Sequence, residues 1–392
     1  MLRIVSLALA LSVALPATVS AQGNELKIGF ISTFSGPSAL LGQDLLDGFN
    51  LGIKSVGGRL GGRTVDIIRG DDQVKPDVAR QLADKMIERD KVDLVTGVIW
   101  SNVLLAIAKP VLDAGTFLVS PNAGPSQMAG AQCHPQFFAT AFQNDAPNEA
   151  MGIHLQKKGL QNVYLIAPNY PAGRDMLNGF KRHFKGSIAG EVYTQLGQLD
   201  YAAELAQLRS KKPSALYYFI PGGPGINFVK QYAQAGLKGE TPLFAPGFSL
   251  DQTILPAVGD AADGATIATF WAPDLKNPAN AKFVKDFETE FKRTPSPYAA
   301  QGYDTARLLD AALKASGGSM KDKAAFRRAM VQAKFESVRG SFRFNTNHFP
   351  IQDYYLTEIV KGTAGTSVMA TREVIVREHG DAYAKDCKMP AQ

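Results

Sequence analysis

The chain has 392 residues, with 42 lysines and arginines against 36 aspartates and glutamates, a formal net charge of +6, and two cysteines. Its basic residues are scattered rather than gathered into a stripe with aromatics, which argues against nucleic-acid binding. Cys133 and Cys387 cannot form a C-x-x-C redox pair and cannot build a zinc site alone.

The first 21 residues read as a cleavable export signal: Arg3 supplies the positive charge, Ile4 to Leu15 are almost wholly apolar, and Val19-Ser20-Ala21 is a small-residue cleavage site. An uncleaved anchor is the alternative, but the apolar run is shorter than the ~20 residues a spanning helix needs. No cysteine follows the cleavage site, which disfavours a lipid anchor, and no later apolar run is long enough to span a bilayer. Without Arg3 the formal charge is 41 − 36 = +5. In an oxidising compartment an even cysteine count favours a Cys133–Cys387 disulfide, with two free buried thiols as the other reading.

Strand and helix patterns then alternate. Leu26–Ile31 predicts a buried strand, and Gln43–Ser55 a helix with Leu45, Leu46, Phe49 and Ile53 on one face, stopped by Gly57-Gly58. Strands follow at Thr64–Arg69, Leu94–Ile99 and Phe117–Ser120, with helices at Pro76–Arg89 and Val103–Ala114. After a polar stretch, Gln132–Asn148, the pattern restarts with strands at Val163–Ala167, Ile188–Tyr193, Ala215–Ile220, Leu243–Ala245 and Ala265–Phe270. Helices are predicted between them at Gly173–Phe184, Ala202–Ser210 and Ile226–Ala235. Two long helices, Ala279–Phe291 and Pro297–Ser316, precede strands at Ser341–Phe344 and Tyr354–Val360. Such alternation predicts right-handed βαβ units and parallel sheets. There is no repeat and no low-complexity linker, so two similar lobes with several chain crossings are expected.

In open parallel sheets, ligands bind beyond the carboxyl ends of the strands. The residues there are Phe34–Ser38, Trp100–Asn102 and Pro121–Ser126 in the first series, and Asn169–Gly173, Pro221–Gly225 and Pro246–Ser249 in the second. Ser101-Asn102 opens a helix, where free N–H groups and the helix dipole favour an anion. Ser101 as a plain helix cap is the competing reading. Asn122-Ala123-Gly124 is either simple turn chemistry or the second half of an anion grip. Trp100 is either a pocket floor or a core residue.

Read together, these residues resemble the type I periplasmic solute-binding proteins, the receptors of the branched-chain amino acid class of ABC importers. The points of likeness are Ile28-Gly-Phe-Ile-Ser-Thr-Phe-Ser-Gly-Pro, Gly42-Gln-Asp-Leu-Leu-Asp-Gly, Gly97-Val-Ile-Trp-Ser101, Leu118-Val-Ser-Pro-Asn-Ala123, Asn169-Tyr-Pro-Ala-Gly-Arg-Asp175 and Tyr298-Ala-Ala-Gln-Gly-Tyr-Asp-Thr-Ala-Arg-Leu308. The resemblance covers essentially the whole chain after the signal. It implies an α/β fold of two Rossmann-like lobes with parallel sheets, joined by a three-crossover hinge. The expected division is 1–21 signal peptide, 22–142 plus 274–345 for lobe 1, and 143–273 plus 346–392 for lobe 2.

In the amino-acid-binding members a ligand carboxylate is held at the positions of Ser101 and Asn122-Ala123-Gly124, and a ligand ammonium by an acid of the second lobe. That acid would fall in Pro246–Ser249, where none stands; Asp251 is the nearest. Family aromatics are replaced by Ala172 and Gly222-Gly223. A buried ammonium without a counter-charge costs several kcal/mol, and small residues would enlarge the second-lobe side. An anion grip, no cation grip and an aromatic lining suit a flat aromatic carboxylate. Trp100, Asn122–Ser126 and Gly173-Arg-Asp175 resemble the benzoate- and cinnamate-binding subgroup. Phe142, Tyr170 and Phe248 are the expected ring contacts, with Asn102 and Tyr298 completing the set; Arg174 either adds a charge contact or faces solvent.

An enzyme is the first rival. It lacks support: Gly29, Gly36 and Gly42 do not make G-x-G-x-x-G, there is no P-loop or G-x-S-x-G, and the histidines are scattered. A ligand sensor, or an amino acid receptor of the same family, are the other rivals. The expectation is a monomeric periplasmic protein without a cofactor or nucleic-acid partner, delivering a small carboxylate to inner-membrane permease subunits.

Overall fold

The computed structural model describes residues 25–362 and 365–389; the export signal expected over residues 1–21 lies outside them. The chain begins with β1 (Glu25–Ser32), where Leu26, Ile28, Phe30 and Ile31 are buried. A 3-10 turn, Gly36–Ser38, feeds α1 (Ala39–Ser55), so the helix starts four residues earlier than its apolar periodicity suggests. There follow β2 (Arg59–Leu60), β3 (Arg63–Asp71), α2 (Pro76–Lys85), β4 (Leu94–Thr96), α3 (Ser101–Asp113), β5 (Phe117–Ser120), α4 (Ser126–Ala129) and β6 (Phe137–Ala139). These strands form one sheet in the order β2-β3-β1-β4-β5-β6, parallel except for the β2–β3 hairpin.

The second series is α5 (Ala146–Lys157), β7 (Val163–Pro168), α6 (Pro171–His183), β8 (Ile188–Thr194), α7 (Ala202–Lys211), β9 (Ala215–Tyr218), α8 (Gly222–Gln234), β10 (Leu243–Pro246), α9 (Leu255–Val258) and β11 (Thr266–Thr269). The chain then returns to the first lobe for α10 (Pro278–Phe291), α11 (Pro297–Ala315) and α12 (Lys323–Gln332). There α11 packs on α1 so closely that a Cβ on Gly302 would sit 2.1 Å from the Leu45 carbonyl oxygen. The tail supplies β12 (Phe342–Phe344), β13 (Pro350–Lys361) and β14 (Ser367–His379). The second sheet runs β12-β13-β11-β10-β9-β7-β8, with β14 also paired to β13. Its core is parallel, and the tail adds an antiparallel edge. The fold is therefore the two-lobed α/β architecture expected.

The chain passes between lobes three times: after β6, after β11 and around β12. All three passages meet at the buried guanidinium of Arg339. It donates to Asp304 Oδ2 on α11 (3.0 Å), to the Ala141 carbonyl (2.9 Å) and to Gln352 Oε1 (3.1 Å), and lies 5.5 Å from the Phe270 ring centroid. β12 pairs with β13 in the second sheet, while the Phe344 ring packs on Phe138 of the first.

Cys133, between α4 and β6, is disulfide-bonded to Cys387 beyond β14. The bond spans 254 residues of sequence and staples the tail of the second sheet to the first lobe. Reducing it, or replacing both cysteines by serine, is expected to lower stability by on the order of 2–5 kcal/mol. Thermal unfolding with and without reductant measures this; coincident transitions would remove the staple from the account.

Candidate functional site

The strand ends of both lobes face each other across a cavity. The first lobe contributes Ile99, Trp100, Ser101 and Asn122, and the first crossing contributes Phe142 and Asn144. The second lobe contributes Tyr170, Ala172, Met176, Phe219, Pro221 and Phe248, and α11 contributes Tyr298. Eight of the expected ligand residues thus converge: Trp100, Ser101, Asn122, Phe142, Tyr170, Ala172, Phe248 and Tyr298. Ile99, Asn144, Met176 and Phe219 were not foreseen, and Pro221 was named only among the strand-end residues. Among the described residues no charged side chain lines this cavity. The cavity is nearly closed, about 20 Å³, and a larger groove of about 680 Å³, past Leu40, Arg293 and the β13–β14 turn, contains none of these strand-end residues, so size does not mark the site.

Trp100 is the N-cap residue of α3, and Ser101 is the first residue of its helical turn. Ser101 makes no capping bond; its Oγ accepts from Asn144 Nδ2 at 3.1 Å, which leaves the hydroxyl proton free to donate. The first backbone N–H groups of α3 add donors and a partial positive charge on the same wall. Trp100 is held by its ring nitrogen: its Nε1–H donates to Thr33 Oγ1 (2.9 Å), and Thr33 donates to Asp72 Oδ1 (2.6 Å).

The other half of the expected anion grip is spent inside the fold. Ala123 N–H donates to the Val98 carbonyl (3.2 Å) and Gly124 N–H to Asn144 Oδ1 (3.2 Å), and neither residue lines the cavity. Asn102 lies one residue into α3, also outside the lining. Gly222 is outside it too. With φ of +67°, it sits where an added Cβ would come 3.0 Å from Ser38 Oγ, and one on Gly223 would come 2.6 Å from the Pro37 carbonyl oxygen. These glycines therefore do not enlarge the pocket. They are where the second lobe touches the first, and a side chain would hold the lobes apart.

The aromatic wall also differs from a simple sandwich. Phe142 and Phe248 stack on each other with centroids 4.8 Å apart, which leaves no space for a third ring between them. Tyr170 lies 6.0 Å from Trp100 and 6.2 Å from Phe219, and Tyr298 donates to the Phe248 carbonyl at 3.5 Å. Arg174 is exposed over the Tyr193 ring, away from the cavity. The opening turn, Ser35–Ser38, lines a separate outer chamber of about 400 Å³ that shares Trp100 and Pro221 with the cavity.

Asp251, the acid nearest the place of a second-lobe counter-charge, lies outside the lining. Its Oδ1 accepts from Thr253 N (2.7 Å) and Oγ1 (2.6 Å), and burial pushes its pKa up to about 7. Asp175 on α6 is the acid that reaches across the lobes. Its carboxylate accepts from Ser126 N (2.9 Å), Ser126 Oγ (2.7 Å) and Asn144 Nδ2 (3.0 Å). Burial raises its pKa, and the Ser126 and Asn144 bonds oppose that rise. It acts as a latch between lobes, with both carboxylate oxygens already hydrogen-bonded.

Two α/β lobes latched over an uncharged, aromatic-walled cavity define a solute trap. The chain belongs to the periplasmic binding protein family, whose sequence profile matches residues 25–364. It is similar to a solute-binding protein of an ABC transporter from R. palustris, solved in complex with benzoate, at 35% identity and a TM-score of 0.88, covering 93% of this chain and 100% of that one. A second such protein, from Rhodopseudomonas palustris BisB5 in complex with 3,4-dihydroxybenzoic acid, is 28% identical with a TM-score of 0.84, covering 92% and 99%. The Leu/Ile/Val-binding protein homolog 6 of Brucella melitensis is 27% identical over 367 residues, 91% of this chain and 93% of that protein. The family is periplasmic and non-catalytic; its members bind small molecules and pass them to permease subunits.

Two outcomes follow from the site. Asp175→Ala removes the latch, and weaker closure is expected to lower ligand affinity by roughly 1–3 kcal/mol; calorimetry showing wild-type affinity would assign the latch no role in closure. For Asp251, the folded protein keeps a proton between about pH 4 and 7 that the unfolded chain has lost. Stability should fall as pH rises through that window, by on the order of 1 kcal/mol per unit, and level off above it. Asp251→Asn should lack this component; parallel unfolding curves for the two proteins would refute the assignment.

Proposed function

We propose that this protein captures a small aromatic carboxylate and delivers it to the inner-membrane permease of an ABC importer. One observation carries the reading: the cavity offers donors for an anion at the start of α3, aromatic walls, and no acid to neutralise an ammonium. The benzoate and dihydroxybenzoate complexes of similar proteins support the same class. In this reading the protein works as a monomer after removal of residues 1–21, with 22–142 plus 274–345 as lobe 1 and 143–273 plus 346–392 as lobe 2. The first lobe binds the carboxylate at Ser101, and the second closes over the ring. Closure is driven by contacts made only in the closed form.

The test is a thermal-shift and calorimetric comparison of benzoates and hydroxycinnamates with leucine, isoleucine and valine. Aromatic acids are expected to stabilise the protein and the amino acids to leave it unchanged; the reverse would favour an amino acid receptor. Ser101→Ala should weaken the aromatic acid by about 1–2 kcal/mol through loss of a charge-assisted bond, and unchanged affinity would move the anion grip elsewhere.

A further inference from the structure

The cavity wall carries a hydrogen-bond acceptor that the fold leaves unused. Asn122 is 9% exposed and lines the cavity. Its amide is oriented by Nδ2, which donates to the Ile99 carbonyl at 2.8 Å. Its Oδ1 is buried and has no partner among the described residues. The neighbouring amide is different: Asn144 donates to Ser101 and Asp175, which uses both its N–H groups, and its Oδ1 already accepts from Gly124, so it is not left unpaired. The wall therefore presents donors at Ser101 and the α3 N-terminus, and a fixed acceptor at Asn122.

A ligand that fills the cavity without a donor would leave this carbonyl buried and unpaired, which costs about 1–3 kcal/mol. An ammonium, a protonated carboxyl and a hydroxyl are common donors on a small acid. An ammonium brings a full charge into a wall with no acid to pair it. A protonated carboxyl gives up the ionised form that the α3 N-terminus favours. A phenolic hydroxyl is neutral at physiological pH, with an ordinary pKa near ~10, and donates one hydrogen bond. We propose that Asn122 makes this receptor selective for hydroxylated aromatic acids over benzoate itself. This rests on the aromatic-acid reading above and narrows it. Sites built to pair a ligand hydroxyl discriminate strongly against analogues lacking it, because their own polar group is then stranded.

Calorimetry at pH 7 with benzoate, the three monohydroxybenzoates and the three matching fluorobenzoates tests the proposal. Fluorine is close in size to hydroxyl but donates nothing. At least one hydroxybenzoate is expected to bind tenfold or more tighter than both benzoate and its fluoro counterpart. In Asn122→Ala that ratio should shrink to within about twofold. The wild-type series stands even if the variant folds poorly. Benzoate, hydroxy- and fluorobenzoates binding within about threefold of one another would overturn the proposal while leaving the aromatic-acid reading intact. A hydroxyl preference that survives in a folded Asn122→Ala would overturn the assignment to Asn122. Absence of binding by every aromatic acid would overturn the underlying reading as well.

Discussion

Arg339 holds the two lobes to one geometry. Its guanidinium is fully buried, and it touches all three passages of the chain: Ala141 on the first, Phe270 on the second and Gln352 on the third. Burial alone would push such a group toward neutrality; Asp304, itself bound by Ser337 Oγ and Val338 N–H, supplies the counter-charge. An isolated buried charge costs several kcal/mol, so Arg339 stays in place only while its partners do. That requirement fixes where Ala141 lies, and with it Phe142, Gln143 and Asn144, the next three residues of the same passage. The cavity floor is thus set by the hinge, and the hinge by one cation.

Asn144 carries that constraint into the site. Through its side chain it joins α3, by way of Ser101, to α6, by way of Asp175, and its Oδ1 takes the Gly124 N–H. Its backbone N–H donates to the Gly124 carbonyl as well. The loops after β4 and β5 are therefore tied to the crossing, and the second lobe is latched to both. A single amide connects the anion-favouring helix end with the contact that closes the lobes. This gives the ligand grip and lobe closure a common physical part.

Most strands and helices were legible because apolar runs alternate with glycine- and proline-rich ends, and the strand-end rule then located the cavity. Several elements escaped, among them α12 and β14, and three features near the site or hinge did so for different reasons. The helix α5 carries buried Asn148, Glu149 and His154, which erase any apolar periodicity. Asn144 and β6 fell in a stretch that looks like a polar linker, because the bonds that bury those side chains come from distant residues. Arg339 reads as one more surface arginine until three passages close around it. Gly222 and Gly223 were visible but carried the wrong meaning: absent side chains suggest room for ligand, whereas here the opposing lobe fills the space. Pro246–Ser249 carries no acid, and Asp251 lies outside the cavity lining.

For the carboxylate ligand proposed above, a wall with no lysine or arginine among the described residues has a physical logic. A buried ion pair gains little once desolvation is counted, yet breaking it costs several kcal/mol where one charge is left buried and unpaired. A helix N-terminus offers partial charge and several N–H donors already oriented by the backbone, worth roughly 0.3–2 kcal/mol to a nearby anion. Affinity must then come from many modest terms: Ser101 and the α3 donors, the aromatic faces, and the contacts made on closure. Ser101 and the α3 donors belong to the first lobe, whereas the second-lobe faces and the closure contacts act only while the lobes are shut. Opening would remove those second-lobe contacts together and leave only the modest first-lobe donors, so a trap of this design can hold its ligand while shut and give it up without a step that separates a full ion pair.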